Sequence, residues 1–197
     1  MNSVSSYFLK KNASRKVDLI KDFFKKKETV LDFGCGDLTF AEILKKNKSF
    51  LAISGLDVID FNSKVKNIPF FKYDGKKLPF KNNTFETVIA FYVLHHCDDI
   101  WFSLKECLRV AKKRVIVVEP ISRYSFEKYI MGILDFVYNL WKIETIPLTY
   151  QFFPIEEWRI FFKKNKFKVR ITDDVKKSVL ALIPVGKIYI FEILKSP

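Results

Sequence analysis

Val30-Leu31-Asp32-Phe33-Gly34-Cys35-Gly36-Asp37 is an apolar run that ends in an acid and a glycine-bracketed turn, and it passes straight into an amphipathic stretch. Its period predicts a buried strand over Thr29 to Phe33 and a helix over Leu38 to Lys46. Glycines at 34 and 36 let backbone amides approach a ligand that a Cβ would hold away. Taken alone, such a turn is equally a plain tight connection from strand to helix.

The flanking chain decides between these readings. Asp57 ends a second predicted strand, Leu51 to Leu56, 25 residues after Asp32, where a carboxylate can accept hydrogen bonds from both hydroxyls of a ribose. Asp74 closes a third, Phe70 to Tyr73, just ahead of Gly75. Three acids at the carboxyl ends of neighbouring strands mark the ligand-binding edge of an open α/β sheet, and together they read as a site for an adenosine-type cofactor.

Further strands are predicted over Thr87 to Phe91 and Arg114 to Val118, separated by a helix from about Asp98 to Arg109 that Asp98 or Asp99 would cap. Val17, Ile20, Phe23 and Phe24 recur at helical spacing ahead of the first strand. This alternation implies a mainly parallel sheet covered on both faces. After Pro120 the pattern changes. Residues 121–150 are dense in aromatics, a helix is predicted over Ile155 to Lys164, and Phe167 to Ile171 and Ile188 to Leu194 read as two late strands. Asp173 to Gly186 contains no convincing crossover helix, so the final strand is expected to run antiparallel.

A chain of 197 residues with 49% apolar and 16% aromatic content fits one folded domain and excludes a disordered tail. Lys and Arg number 35 against 22 Asp and Glu, which suggests an anionic partner. The excess is mostly Lys and is spread over both halves, as a general solvated surface would be. No apolar run is long enough to span a bilayer; Tyr129 to Leu148 comes closest and is interrupted by Asp135, Lys142 and Glu144. The start lacks the apolar core of a signal peptide, and Cys35, Cys97 and Cys107 form no CxxC pair. A cytoplasmic location is the expectation.

The segments VLDFGCGD, GLDVID, YDGKKLPFKNNTFETVIAFYVLHHCDD and LKECLRVAKKRVIVVEP together resemble the class I S-adenosylmethionine-dependent methyltransferases, in their ubiquinone/menaquinone-methyltransferase-like (type 11) branch, over about residues 28–120. The resemblance implies a Rossmann-like, doubly wound α/β fold: a mainly parallel seven-stranded sheet with an antiparallel last strand and helices on both faces. It implies S-adenosyl-L-methionine as cofactor. Asp32, Gly34 and Gly36 would line its methionine end, Asp57 its ribose, and Asp74 with Gly75 its adenine, with Cys35 and Val58 among the contacts. Phe91 and Tyr92 would border the space for methyl transfer, and residues 121–150 would form a lid-like insertion over the acceptor within a single domain 1–197. Two departures stand out: Leu38 replaces a usual third glycine, and Ala111-Lys112-Lys113-Arg114 replaces a usual Pro-Gly-Gly turn.

A sulfonium cofactor carries an activated methyl group, so the protein need mainly align the acceptor and exclude water. Accordingly the chain has no Gly-x-Ser-x-Gly elbow, no HExxH and no P-loop lysine. His95 and His96 are its only histidines, and His95 with Tyr92 is the expected catalytic pair, His96 a support of the loop. No metal is expected, because adjacent residues do not easily converge on one ion and Asp98 and Asp99 have work as caps. An NAD dehydrogenase would need glycine where Thr39 stands. The apolar positions Phe126, Tyr129, Ile130, Ile133, Leu134, Val137 and Leu140 fit a helix buried on the core. They equally fit a pocket for a small apolar or aromatic acceptor, or a peripheral membrane contact. RNA is the competing acceptor, and a noncatalytic cofactor-binding or protein-interaction domain the competing class.

Overall fold

A computed structural model of the chain describes residues 3–61, 65–124, 126–139, 151–172 and 187–195. The elements in order are α1 (Ser3–Ile20), β1 (Thr29–Phe33), α2 (Thr39–Asn47), β2 (Ala52–Asp57), β3 (Phe70–Lys72), β4 (Phe85–Phe91), α3 (Ile100–Val110), β5 (Ala111–Ile121), α4 (Glu127–Asn139), α5 (Ile155–Lys164), β6 (Lys168–Thr172) and β7 (Lys187–Leu194). The strands form one seven-stranded sheet in the order β3-β2-β1-β4-β5-β7-β6. The pairings among β1 to β5 are parallel, and β7 lies between β5 and β6, antiparallel to both. The expected mainly parallel sheet with an antiparallel last strand is what the structure shows.

Alternation along the central strands sorts the core into two layers. Leu31, Phe33, Val88, Ala90, Val115 and Val117 pack with Leu104 of α3 and Trp158 of α5 on one face. Val30, Ile89, Phe91, Ile116 and Val118 pack with Val17 of α1 and Leu44 of α2 on the other. Strands buried on both faces in this way read as continuous apolar runs, which is why β1 was legible from its sequence.

Strand order reverses between β1 and β4, so the loops after these strands diverge and leave a crevice at their carboxyl ends. Phe33 pairs with Leu56 and with Ala90, and Asp57 with Lys72, so the loops that follow β1, β2, β3 and β4 start at one level. That common edge is where the predicted site residues fall.

The helix α4 exists, as its period suggested, but its apolar stripe does not pack on the core: Phe126, Tyr129, Ile133 and Val137 are more than half exposed. Expectations placed on Leu140 and on the aromatic stretch from 140 to 150, and on the absence of a helix in 173–186, lie outside the described residues. The Ala111–Arg114 segment is no loop. It is the start of β5, which follows the last residue of α3 directly.

Candidate functional site

The turn after β1 is built on left-handed backbone. Gly34 and Gly36 have φ of 72° and 54°. A Cβ on Gly34 would stand 2.1 Å from Val93 Cγ2, in the loop after β4, whereas one on Gly36 would meet nothing within 4 Å. Glycine at 34 is thus demanded by packing, and at 36 it leaves an open approach to the backbone. The amides of Gly34 and Cys35 donate to Leu56 O at 2.8 and 3.2 Å, which ties the turn to β2.

Leu38 also has a left-handed φ, of 64°, yet its side chain is 1% exposed and belongs to the core. Its Cδ2 lies 2.3 Å from where a Cβ on Gly55 would sit, and Cys35 Sγ fills the same space. The leucine that departs from the family pattern therefore plugs a hollow over β2 and does not block the turn.

Asp32, at the end of β1, is 2% exposed, and its Oδ2 finds no hydrogen-bond partner among the described residues. Burial pushes its pKa up to about 8, against the pull of Lys16 and with the help of Asp57. A buried carboxyl with an oxygen to spare beside an open glycine turn fits a ligand that brings a donor or a cation there. Lys16 comes from α1, with Nζ 5.1 and 5.0 Å from the ring centres of Phe91 and Tyr92.

Asp57 accepts from Gly36 N through Oδ2 at 2.8 Å and from Ile59 N through Oδ1 at 3.1 Å. Its backbone carbonyl accepts from Tyr73 N. Asp74 is exposed two residues past β3, with Oδ1 accepting from Lys76 N, and a Cβ on Gly75 (φ 82°) would meet Val58 at 3.5 Å. Asp32, Gly34, Gly36, Asp57, Val58, Asp74 and Gly75 thus gather along one edge, with Cys35 turned into the core beneath it.

Across the crevice, Phe91 packs at 5.5 Å on Phe40 of α2, and Tyr92 adopts φ 53° with its buried hydroxyl lacking a hydrogen-bond partner among the described residues. Burial, with Glu119 adding to it, raises the Tyr92 pKa. The next three residues hang on Glu119, at the end of β5: its Oε1 accepts from Val93 N and Leu94 N at 2.9 and 2.8 Å, and its Oε2 lies 2.6 Å from His95 Nδ1. His95 is 3% exposed and stacks on Phe152. Burial alone would lower its pKa, but Glu119 and then Asp135 outweigh it and hold it at about 9. Asp135 descends from α4, with Oδ1 3.9 Å from His95 Nε2 and Oδ2 3.7 Å from His96 Nε2.

Sequence reasoning missed Lys16, Glu119 and Asp135. Glu119 carried the same signal as the three aspartates, an acid closing a parallel strand. Asp135 showed only as a break in an apolar run, and Lys16 as one more charge on a basic helix.

Among known proteins, the family model described as a methyltransferase domain matches residues 31–118. The family match, the relatives and the fold support a class I methyltransferase domain of the ubiquinone/menaquinone-methyltransferase-like branch, as the motifs implied. It is 31% identical over 152 residues to an uncharacterized protein of Methanocaldococcus jannaschii, an alignment that takes in 76% of this chain and 63% of that one. It is 29% identical over 116 residues to a demethylmenaquinone methyltransferase of Corynebacterium efficiens, 54% of this chain and 50% of that one. The structure of a SAM-dependent methyltransferase from Aquifex aeolicus superposes with a TM-score of 0.60 at 18% identity, covering 90% and 87% of the two chains. The chain spans 41–63% of the length of the curated relatives it matches.

Proposed function

We propose that the protein is a methyltransferase that uses S-adenosyl-L-methionine and transfers the methyl group directly to a small apolar or aromatic acceptor. The observation that carries this reading is the spare oxygen of buried Asp32 beside a glycine turn open at Gly36, with Asp57 and Asp74 along the same edge.

Asp32 and Lys16 would receive the amino-acid end of the cofactor, the carboxyl taking its amino group and the ammonium its carboxylate. Gly34 to Gly36 give its chain a surface without side chains, and Asp57 can exchange its bond to Gly36 N for the ribose hydroxyls. Val58, Asp74, Gly75 and Phe91 would frame the base. When bound, the sulfonium supplies an electrophilic methyl group that needs no nucleophile on the protein. The protein's own part is alignment and exclusion of water. Tyr92 and His95 are the catalytic candidates, polar groups in an aromatic wall that also holds Phe91 and Phe152, and they would orient the acceptor atom.

Titration calorimetry with the cofactor and its demethylated product tests the reading. Binding by the wild type, weakened tenfold or more in Asp57→Ala, is the expected result, and no binding by the wild type would refute it. Turnover on hydroxylated aromatic compounds would then identify the acceptor class. Tight binding to RNA that falls steeply with salt would point to a nucleic-acid acceptor instead.

A further inference from the structure

His95 and His96 adjoin in sequence and by themselves would not enclose an ion. The structure adds a third ligand from a distant element. His95, His96 and Asp135 each offer one ligand atom, and these atoms lie within 4.8 Å of one another. We propose that these three side chains bind one divalent first-row transition ion at the seam between the loop after β4 and helix α4.

The spacing leaves room for an ion among the three side chains. The Asp135 oxygens stand 3.9 Å from His95 Nε2 and 3.7 Å from His96 Nε2, beyond ordinary hydrogen-bond range. Ligands at 2.0–2.1 Å around a tetrahedral centre are separated by roughly 3.3 Å, so side-chain shifts of about 1 Å would draw the three atoms, now within 4.8 Å of one another, onto one ion.

The support behind the ligands is of the kind metal sites use. A ligating histidine commonly gives its second ring nitrogen to a carboxylate, which fixes the tautomer and turns the other nitrogen toward the ion. Glu119 does this for His95 at 2.6 Å, and it is itself held by the amides of Val93 and Leu94. His95 is therefore aimed in advance, with Nε2 facing α4. Charge agrees as well, since the carboxylates of Glu119 and Asp135 face the two nitrogens of the His95 imidazole, and Asp135 also lies beside His96.

Two imidazoles and one carboxylate select zinc, manganese, iron(II), cobalt or nickel over calcium and magnesium, which take oxygen sets. Three protein ligands leave coordination positions open, the pattern of a working and not a structural site. His96 and Asp135 keep 18% and 22% of their side-chain surface, so the open side is reachable. Given the methyl-transfer reading above, on which this last step rests, those positions would hold an oxygen of the acceptor and place it in the transfer space.

The test uses untagged protein stripped of metal with a chelator and titrated with Co2+, read by visible absorption and by NMR of the histidine rings. Because His95 and His96 are the only histidines in the chain, ring signals report on this site alone. The expected result is one saturable equivalent, broadening of both ring signals, and affinity reduced at least tenfold in Asp135→Asn and in His96→Gln. Glu119→Gln, which leaves the three ligands in place, should weaken binding by about 10–100-fold. Absence of saturable binding, unbroadened ring signals in the wild type, or equal affinity in both ligand variants would overturn the proposal. The ring signals need no variant, so a misfolded mutant does not spoil the test. Cofactor binding is measured separately: its loss with Co2+ binding intact would sink the methyl-transfer reading alone, and the reverse would sink only the ion.

Discussion

Single residues at the crevice make opposite demands on the backbone and on charge. Gly34 and Gly36 look alike in sequence, yet only Gly34 faces a neighbour. Gly34→Ala would drive a Cβ into Val93 from a left-handed position, and it should lower the melting temperature far more than Gly36→Ala, whose cost is confined to roughly 1–2 kcal/mol of backbone strain. Gly36→Ala should instead act on cofactor affinity, so calorimetry and thermal melts on the two variants will rank them in opposite orders. Asp32 gives a pH signature. Its folded pKa is raised to about 8 from an ordinary 3.8, so the stability it contributes is full below pH 4 and is lost as pH rises through 8. Urea titrations should show the wild type weakening over that window, and Asp32→Asn should flatten the profile. A cofactor amino group beside Asp32 would favour its ionised form, so binding near pH 7 should release close to one proton, measurable by calorimetry in buffers of different ionisation enthalpy.

At the scale of elements, Val93 to His95, the start of the loop after β4, share one carboxylate, that of Glu119. Removing it in Glu119→Ala leaves two amides and an imidazole without their acceptor, at a cost of about 3–5 kcal/mol. Hydrogen exchange should then quicken at Val93 and Leu94 before it does in β4 or β5; uniform protection would show that the loop is held by something else. Elements were also where the sequence was most readable. The spans Thr29–Phe33 and Ile155–Lys164 match the reading residue for residue, because each is bounded by a clear change of period. The beginning of β5 was not readable, since Lys112 to Arg114 look like a solvated turn. In the fold Lys113 pairs with Glu86 and Arg114 enters a buried network, so charges that seemed to mark a loop are partners of β4 and of Glu28 just ahead of β1. The site was legible where it is made of strand ends and illegible where it depends on a helix 40 residues downstream, because no local period announces that Asp135 will meet His95.

Over the whole molecule, function and cohesion sit at opposite ends of the sheet. Away from the crevice, Arg114 bonds Glu28, Glu192, Thr87 and the carbonyl of Phe23, so it ties the approach to β1 to β4, β5 and β7. Glu28 and Glu192 are each 4% exposed; Arg114→Met would take the buried cation from both, leaving Glu28 its bond from Thr87 and Glu192 its pair with exposed Arg170, with a loss of about 3 kcal/mol. Chemical denaturation should register that loss while cofactor affinity at the far edge, measured below the transition, stays as in the wild type. A comparable fall in affinity would mean that the two ends are mechanically coupled.

The position of β7 sets an order of events in biosynthesis. Because β7 is seated between β5 and β6, β6 has no neighbour to join in a nascent chain until residues 187–194 have cleared the exit tunnel, and only then can that edge of the sheet be zipped to the rest.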